Sequence, residues 1–288
     1  MTLIDIHREA RRDAQGTSEM NERSGIDLKA GPTVPFIEVE NVAKRYGSRS
    51  GESINAIEQI SLDVPRGGFI SLVGPSGCGK STLLKMIGRL LPPSAGVIRY
   101  RNIPQGEVRP RLGVVFQESL LLPWRSILDN IMLPVDVMGL DRRAGAERAR
   151  ELMKMVGLEG FERKYPFELS GGMQQRAAIA RALASDPELL LMDEPFGALD
   201  ALTREQMAGE LQAIWSRTRK TVVFVTHSIS EAVYLSDRVV VLSGRPSRIM
   251  DDITIDLPRP RSLDMMTDPV FGGYASHIRR LLLARTEM

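Results

Sequence analysis

From Phe36 onward the chain moves between two hydrophobic rhythms. FIEVENV (36–42) and ISLDV (60–64) place apolar and polar residues in turn, the period of a strand with one buried face. They predict a small, largely antiparallel β subdomain. Five later runs are almost wholly apolar: FISLVG (69–74), LGVVFQ (112–117), LLLMDE (189–194), TVVFVTH (221–227) and VVVLSG (239–244). Runs of this kind suit strands buried on both faces of a mostly parallel sheet. Helical spacing fills the intervals. In 203–218, Met207, Leu211, Ile214 and Trp215 share one helix face, and in 144–157 Ala146, Ala149, Met153 and Val156 do the same. Strands alternating with helices imply an α/β sheet with right-handed crossovers. No internal repeat and no low-complexity tract interrupts the pattern.

Residues 1–33 lack this patterning. They are polar, charged and free of aromatics, and close with Gly31-Pro32, which predicts a flexible extension with a short helix near Ile4–Arg12. The main domain is expected over 34–260, with a helical subdomain at about 120–168 and a helical tail over 261–288.

Charge narrows the class of partner. With 38 basic and 36 acidic side chains the formal net charge is only +2. A nucleic-acid binder needs clustered excess charge to release counterions, so nucleic acid is not an expected partner. The basic clusters Arg8–Arg12 and Arg142–Arg143 are interleaved with acids. One cysteine allows no internal disulfide and no thiolate zinc site, and fits a reducing compartment. No run of about 18 apolar residues is present to span a bilayer, and MTLIDIHREARRDAQ lacks the apolar core of a secretion signal. The expectation is a soluble cytoplasmic protein that reaches a membrane only through a partner.

The strongest chemical signal is Gly74-Pro75-Ser76-Gly77-Cys78-Gly79-Lys80-Ser81-Thr82, which fits G-x-x-x-x-G-K-[ST] at every fixed position. It follows the strand FISLV and opens the helical stretch STLLKMIGRLL, the context that separates a phosphate-binding loop from a chance glycine-rich turn. Glycines let the backbone curl so that successive N–H groups face phosphates, and the helix N-terminus adds partial positive charge. Lys80 is expected to reach the β- and γ-phosphates of ATP, and the Ser81 hydroxyl to ligate Mg²⁺. Cys78 sits at an unconstrained loop position with no evident catalytic partner. It reads as filler, although its place in the loop predicts sensitivity to alkylation.

A second set of polar residues ends the other apolar strands. In LLLMD-Glu194, Asp193 is placed to hold Mg²⁺ and Glu194 to polarise the attacking water, because ligands bind beyond the carboxyl ends of parallel strands. Two solvated acids at a strand end are the plainer alternative. His227 ends TVVFVT, where a structural hydrogen-bonded histidine is the commoner reading. Gln117 ends LGVVF, where its amide can touch both Mg²⁺ and water or be only a polar terminus. Convergence of these ends on one site is the argument for function.

Leu169-Ser-Gly-Gly-Met-Gln-Gln-Arg176 adds a third motif. Ser170 reads as an N-cap, and Gly171-Gly172 as a bare helix start that a phosphate can approach. The segment resembles the signature of ABC transporter ATPases. The order of motifs resembles that family throughout about 36–260, from Tyr46 in KRYG to His227. The resemblance implies a P-loop NTPase fold of the ABC type: a mostly parallel core sheet, an antiparallel β subdomain and a helical subdomain. It implies that Tyr46 stacks on adenine (otherwise a surface tyrosine) and that His227 contacts the γ-phosphate and attacking water. Ser170, Gly171, Gly172 and Gln174 would meet nucleotide held by a second copy, with Asp200 of Ala198-Leu199-Asp200 at the interface between the two.

FQESLLLPWRSILDNI, FGALDALTR and LPRPRS resemble the nitrate/sulfonate/taurine importers. That implies an ATPase subunit on the cytoplasmic face of the inner membrane. Its partners would be an integral permease and, indirectly, an extracytoplasmic solute-binding protein. Trp124 and Arg125 lie where the family receives a coupling helix, although Trp124 also reads as a buried anchor. A non-transport ABC ATPase of repair, translation or cluster assembly is the alternative. The spacing of about 90 residues from Lys80 to Ser170 without sustained heptads, and the single cassette, weigh against it. A small-molecule kinase or switch GTPase has no place for LSGGMQQR.

Overall fold

The computed structural model describes residues 35–47, 53–101 and 110–284. The expected extension over 1–33 and its helix at Ile4–Arg12 lie outside the described residues. In chain order the strands are β1 (Ile37–Gly47), β2 (Ser53–Val64), β3 (Phe69–Val73), β4 (Ala95–Tyr100), β5 (Leu112–Val115), β6 (Leu189–Asp193), β7 (Thr221–Val225), β8 (Arg238–Leu242) and β9 (Ile249–Thr254). The helices are α1 (Lys80–Ile87), α2 (Ile127–Val137), α3 (Arg142–Met155), α4 (Gly171–Ala184), α5 (Ala201–Thr218), α6 (Ile229–Leu235) and α7 (Pro269–Leu283).

The two rhythms become two sheets. β1 pairs antiparallel with β2 and β4 in the order β2-β1-β4, and the apolar runs form a six-stranded sheet ordered β5-β6-β7-β3-β8-β9. Pairings among β5, β6, β7, β3 and β8 are parallel, whereas β9 joins β8 antiparallel. The wholly apolar strands are explained by cover on both faces. Phe69, Val222 and Phe224 enter one hydrophobic cluster with helices α2 to α7, and Ile70, Leu72, Val223 and Val225 enter another with α1 and the antiparallel sheet. β4 and β9 were not foreseen. Each is an edge strand, and β9 (IMDDIT) carries acids and no fully buried residue, so its pattern never stood out from a polar loop.

Helices begin where small polar residues can cap them. Ser126, Asp141, Ser170, Asp200 and Ser228 each accept from a backbone N–H of the following first turn. Met207, Leu211, Ile214 and Trp215 are buried as the helical spacing required, and so are Ala149, Met153 and Val156. The helical part between β5 and β6 includes α4 as well as α2 and α3, since all three bury residues in one cluster.

The tail is tied down by the arginines of LPRPRS. Arg261 is 3% exposed; its Nη1 donates to the carbonyls of Val233 (2.8 Å), Tyr234 (3.0 Å) and Ser236 (2.8 Å), satisfying the C-terminal end of α6. Its Nη2 donates to Ile255 O and Leu257 O. Burial pulls its pKa down to about 10, with Arg259 adding to the shift. Arg259 lies 4.2 Å over the Trp215 ring and bonds Asp237 Oδ1 at 2.8 Å. Beyond this clasp, Phe271 and Ile278 of α7 enter the same cluster as Trp215 and Tyr234. Arg261→Ala leaves several buried carbonyls without donors and is expected to cost about 3 kcal/mol, read as a lower urea midpoint.

Candidate nucleotide site

The site grows from the carboxyl end of the core sheet. β6, β7 and β3 are neighbours, and their registers set Asp193 opposite Val225, which in turn faces Leu72. Their continuations therefore emerge together: the P-loop after β3, Asp193-Glu194 from β6, and Thr226-His227 from β7. The loop turns into α1 through Gly77 at φ 71 and Gly79 at φ 117, left-handed conformations that glycine adopts at little cost. A Cβ on Gly79 would stand 3.2 Å from Ala56 O and from the Ile57 side chain, so the loop is also packed against β2.

Lys80, 5% exposed, is folded back onto its loop, with Nζ donating to Gly74 O at 2.9 Å and Pro75 O at 3.0 Å. Ser81 Oγ donates to Asp193 Oδ1 at 2.8 Å, which joins the first turn of α1 to the end of β6. Glu194 adopts φ 47, a left-handed conformation that disfavours a side chain and is tolerated where the surroundings enforce it. The enforcing bonds are Glu194 N to Val225 O at 2.9 Å and Gly197 N to Glu194 O at 3.0 Å. The carboxylate then meets His227, with Nδ1 3.1 Å from Oε2. Tyr46 comes from the antiparallel sheet, its hydroxyl 3.4 Å from Thr82 Oγ1.

Tyr46, Ser76, Gly77, Gly79, Lys80, Ser81, Thr82 and Glu194 line one open cavity of about 350 Å³. Gly74 and Pro75 do not line it, and their carbonyls take the Lys80 bonds. Cys78 is 1% exposed within the second hydrophobic cluster. Burial explains its filler role and overturns the expected sensitivity to alkylation. Arg245, which sequence reasoning missed, also lines the cavity, donating to Gly77 O through Nε (3.2 Å) and Nη2 (2.6 Å). It lies 168 residues from Gly77 in sequence, with no motif to mark it.

The remaining site residues gather elsewhere. Gln117, Gly171 and Gln174 line a second cavity with Pro195, Ala198 and Leu199. A Cβ on Gly197 would stand 3.0 Å from Gln117 Nε2, so this amide packs beside the turn after Glu194 instead of in the first cavity. The Gln174 amide is committed within the chain, donating to Pro166 O (2.9 Å) and Leu169 O (3.3 Å) and accepting from Ser119 Oγ (3.2 Å). Ser170 caps α4, leaving Gly171 with nothing within 4 Å of an added Cβ. Asp200 caps α5; bonds from Thr203 N and Thr203 Oγ1 hold its pKa below the ordinary value. Trp124 is 72% exposed, which overturns the reading as a buried anchor. Among the described residues no cluster of three or more His, Cys, Asp or Glu is arranged to hold a metal alone.

Comparison with known proteins decides what this geometry belongs to. The family model for ABC transporters matches residues 57–197. The taurine import ATP-binding protein TauB of Rhizobium johnstonii is 47% identical over 252 residues, covering 86% of this chain and 96% of that protein. The chain belongs to the ABC transporter family. An ABC transporter ATP-binding protein of Methanocaldococcus jannaschii is 50% identical over 225 residues, covering 78% of this chain and 84% of its own length. Among solved structures, the dimeric cassette MJ0796 superposes with a TM-score of 0.66 at 35% identity, covering 77% of this chain and all of that one. The same cassette is known as a dimer in a post-hydrolysis state with ADP and phosphate, here at 34% identity.

As a member of the family, the chain is an ATP-binding and ATP-hydrolysing subunit, and the non-transport reading gives way. Its first cavity holds the P-loop residues together with Glu194 and Arg245. Arg245→Ala removes a cation and two donors from that cavity. ATP affinity, measured with a fluorescent analogue, is expected to fall about tenfold while the melting temperature stays near the parent's.

Proposed function

We propose that the chain powers an importer, working as a homodimer in which each subunit's P-loop cavity closes against Ser170, Gly171 and Gly172 of the other. The observation that carries this reading is the division of residues within one chain: the signature helix start, capped by Ser170 and bare at Gly171, lies outside the P-loop cavity, so a phosphate that meets it is best supplied from another copy. A two-fold arrangement supplies one twice over. The dimeric state of the related cassette supports it.

The residues fit Mg-ATP. Ser81 Oγ and Asp193 Oδ1 are hard oxygen donors 2.8 Å apart, the ligand type Mg²⁺ takes together with phosphate oxygens. Bound there, Mg²⁺ supplies neutralisation of phosphate charge. The loop's N–H groups and Lys80 hold the β- and γ-phosphates, and Tyr46 packs on adenine. Glu194 takes a proton from water as the water oxygen bonds to the γ-phosphorus and the bond to the ADP oxygen breaks. His227 orients that carboxylate and the departing phosphate. Gln117 senses the γ-phosphate side from the adjoining cavity, Gln174 braces the signature helix that meets the partner's nucleotide, and Asp200 faces the partner subunit.

Coupling to transport follows from the exposed apolar surface. No helix among the described residues is long and apolar enough to cross a membrane. Trp124 stands on the loop before α2, and Phe167, 77% exposed, is stacked on Tyr165 with ring centroids 5.7 Å apart. The two segments are joined by Ile127 N to Lys164 O at 2.8 Å. Exposed aromatics on paired loops suit a docked helix of an integral permease, which would hold the subunit at the cytoplasmic face of the membrane. A solute-binding protein outside would deliver cargo to that permease. Similarity to taurine import subunits makes taurine or another sulfonate the leading cargo, ahead of nitrate.

Glu194→Gln is expected to retain ATP and accumulate as an ATP-bound dimer in gel filtration, with turnover reduced at least about a hundredfold. Full turnover in that variant would remove the assigned base. Deletion of the gene is expected to abolish growth on taurine as sulfur source and spare growth on sulfate. Unimpaired growth on every sulfonate tested would redirect the cargo to nitrate.

A further inference from the structure

The two loops that meet the chemistry and the partner are joined behind the site by an ion pair to which the sequence assigned no role, its carboxylate buried and its guanidinium partly so. Glu231, in the first turn of α6, is 7% exposed. Its Oε2 accepts from Thr226 Oγ1 at 2.6 Å, and that hydroxyl in turn accepts from Ser228 N at 2.9 Å. Ser228 Oγ closes the ring by accepting from Glu231 N at 3.3 Å. Of the two neighbours of His227, Thr226 is thereby bonded to the carboxylate, and Ser228 to the Thr226 hydroxyl and the Glu231 backbone. Burial raises the Glu231 pKa, with Thr226 and Arg204 opposing the shift, as expected of a carboxylate held away from water by specific partners.

On the other side stands Arg204, in the first turn of α5. Its Nη2 donates to Leu199 O at 3.0 Å, and its backbone N donates to Asp200 O at 2.9 Å, so it grips the turn that presents Asp200. Its Nε lies 3.6 Å from Glu231 Oε1 and, though buried, makes no hydrogen bond. Charge attraction at this distance links the guanidinium to the carboxylate across the two loops.

We infer that Arg204 and Glu231 are positioning residues that transmit the placement of the Leu199-Asp200 turn to His227, making hydrolysis in one site sensitive to engagement of the partner. This rests on the proposed dimer, in which Asp200 faces the second subunit. The physical content is one linked unit: moving the turn moves the guanidinium, the guanidinium draws on Glu231, and Glu231 carries Thr226 and Ser228 on either side of the histidine. Neither side chain touches nucleotide, so their loss changes the rate and its cooperativity and leaves ATP affinity intact.

The test is a double-mutant cycle on the full chain with Arg204→Met, Glu231→Gln and the pair together. ATPase rate against ATP concentration, affinity for a fluorescent ATP analogue, and melting temperature are measured for each. Each single variant is expected to lose about tenfold in kcat, with the Hill coefficient falling toward one and ATP affinity unchanged. The double variant is expected to be no worse than either single one, and Arg204→Lys to restore part of the cooperativity. Arg204→Lys also carries the test if Arg204→Met melts too low to assay. Additive losses, an unchanged Hill coefficient, or affinity falling in step with kcat would overturn the relay while leaving the dimer standing. ATP-driven dimerisation in the Glu194→Gln background separates the two failures: without it the dimer itself falls, and the relay with it.

Discussion

The hydrogen bond from Ser81 to Asp193 joins the helix that receives phosphates to the strand that supplies carboxylates, and the rest of the site is arranged around it. It exists because β6, β7 and β3 lie side by side and end level, buried on both faces. A phosphate-binding loop alone offers N–H groups, a lysine and a helix dipole, all suited to holding an anion. Two carboxylates beside it would repel that anion unless a divalent cation stood between. The sheet thus builds a site suited to the proposed metal-bound triphosphate, and the second carboxylate, on the left-handed Glu194, meets His227.

The second cavity is braced by α4, and that bracing explains how nucleotide and membrane partner can be felt at once. Gln175 Nε2 donates to Phe116 O at 3.1 Å, and Arg181 donates to Ser119 O and Leu120 O, both at 2.7 Å. With the Gln174 bond to Ser119, one helix holds Phe116, Ser119 and Leu120 in the segment that leads to the exposed Trp124. A helix whose N-terminus meets a partner's phosphate in the proposed dimer would, on shifting, pull on the segment that leads to the proposed permease surface. Rigid contacts of this kind convert a local change in phosphate contacts into motion of a subdomain.

Much of this was legible in the residues, for reasons specific to each element. The five core strands could be read because cover on both faces demands unbroken apolar runs, and the P-loop because its backbone geometry admits glycine at few other spacings. β9 was not legible: an edge strand with Asp251 and Asp252 needs no apolar face. Trp124 was ambiguous because a tryptophan suits a core or a docking surface equally, and only its surroundings choose. Arg245 and Glu231 carried no signal, and Arg204 and Arg261 stood inside FGALDALTR and LPRPRS without a role of their own, since charged residues on a helix or loop resemble solvated surface until a distant backbone comes within bonding distance.

Local chemistry belongs to sequence. Spacing alone determined which residues can cradle a triphosphate, which carboxylates end a buried strand, and which serine-glycine pair begins a helix, because each depends on a few consecutive residues and the conformations they permit. Tertiary structure decided which of these share a cavity and which face outward. Register across parallel strands set Asp193 against Ser81, and the packing of α4 and α5 put Gln117 and the signature in a separate cavity. Those distances follow from how the chain's hydrophobic surface is buried as a whole, a sum over residues far apart in sequence that no short motif encodes.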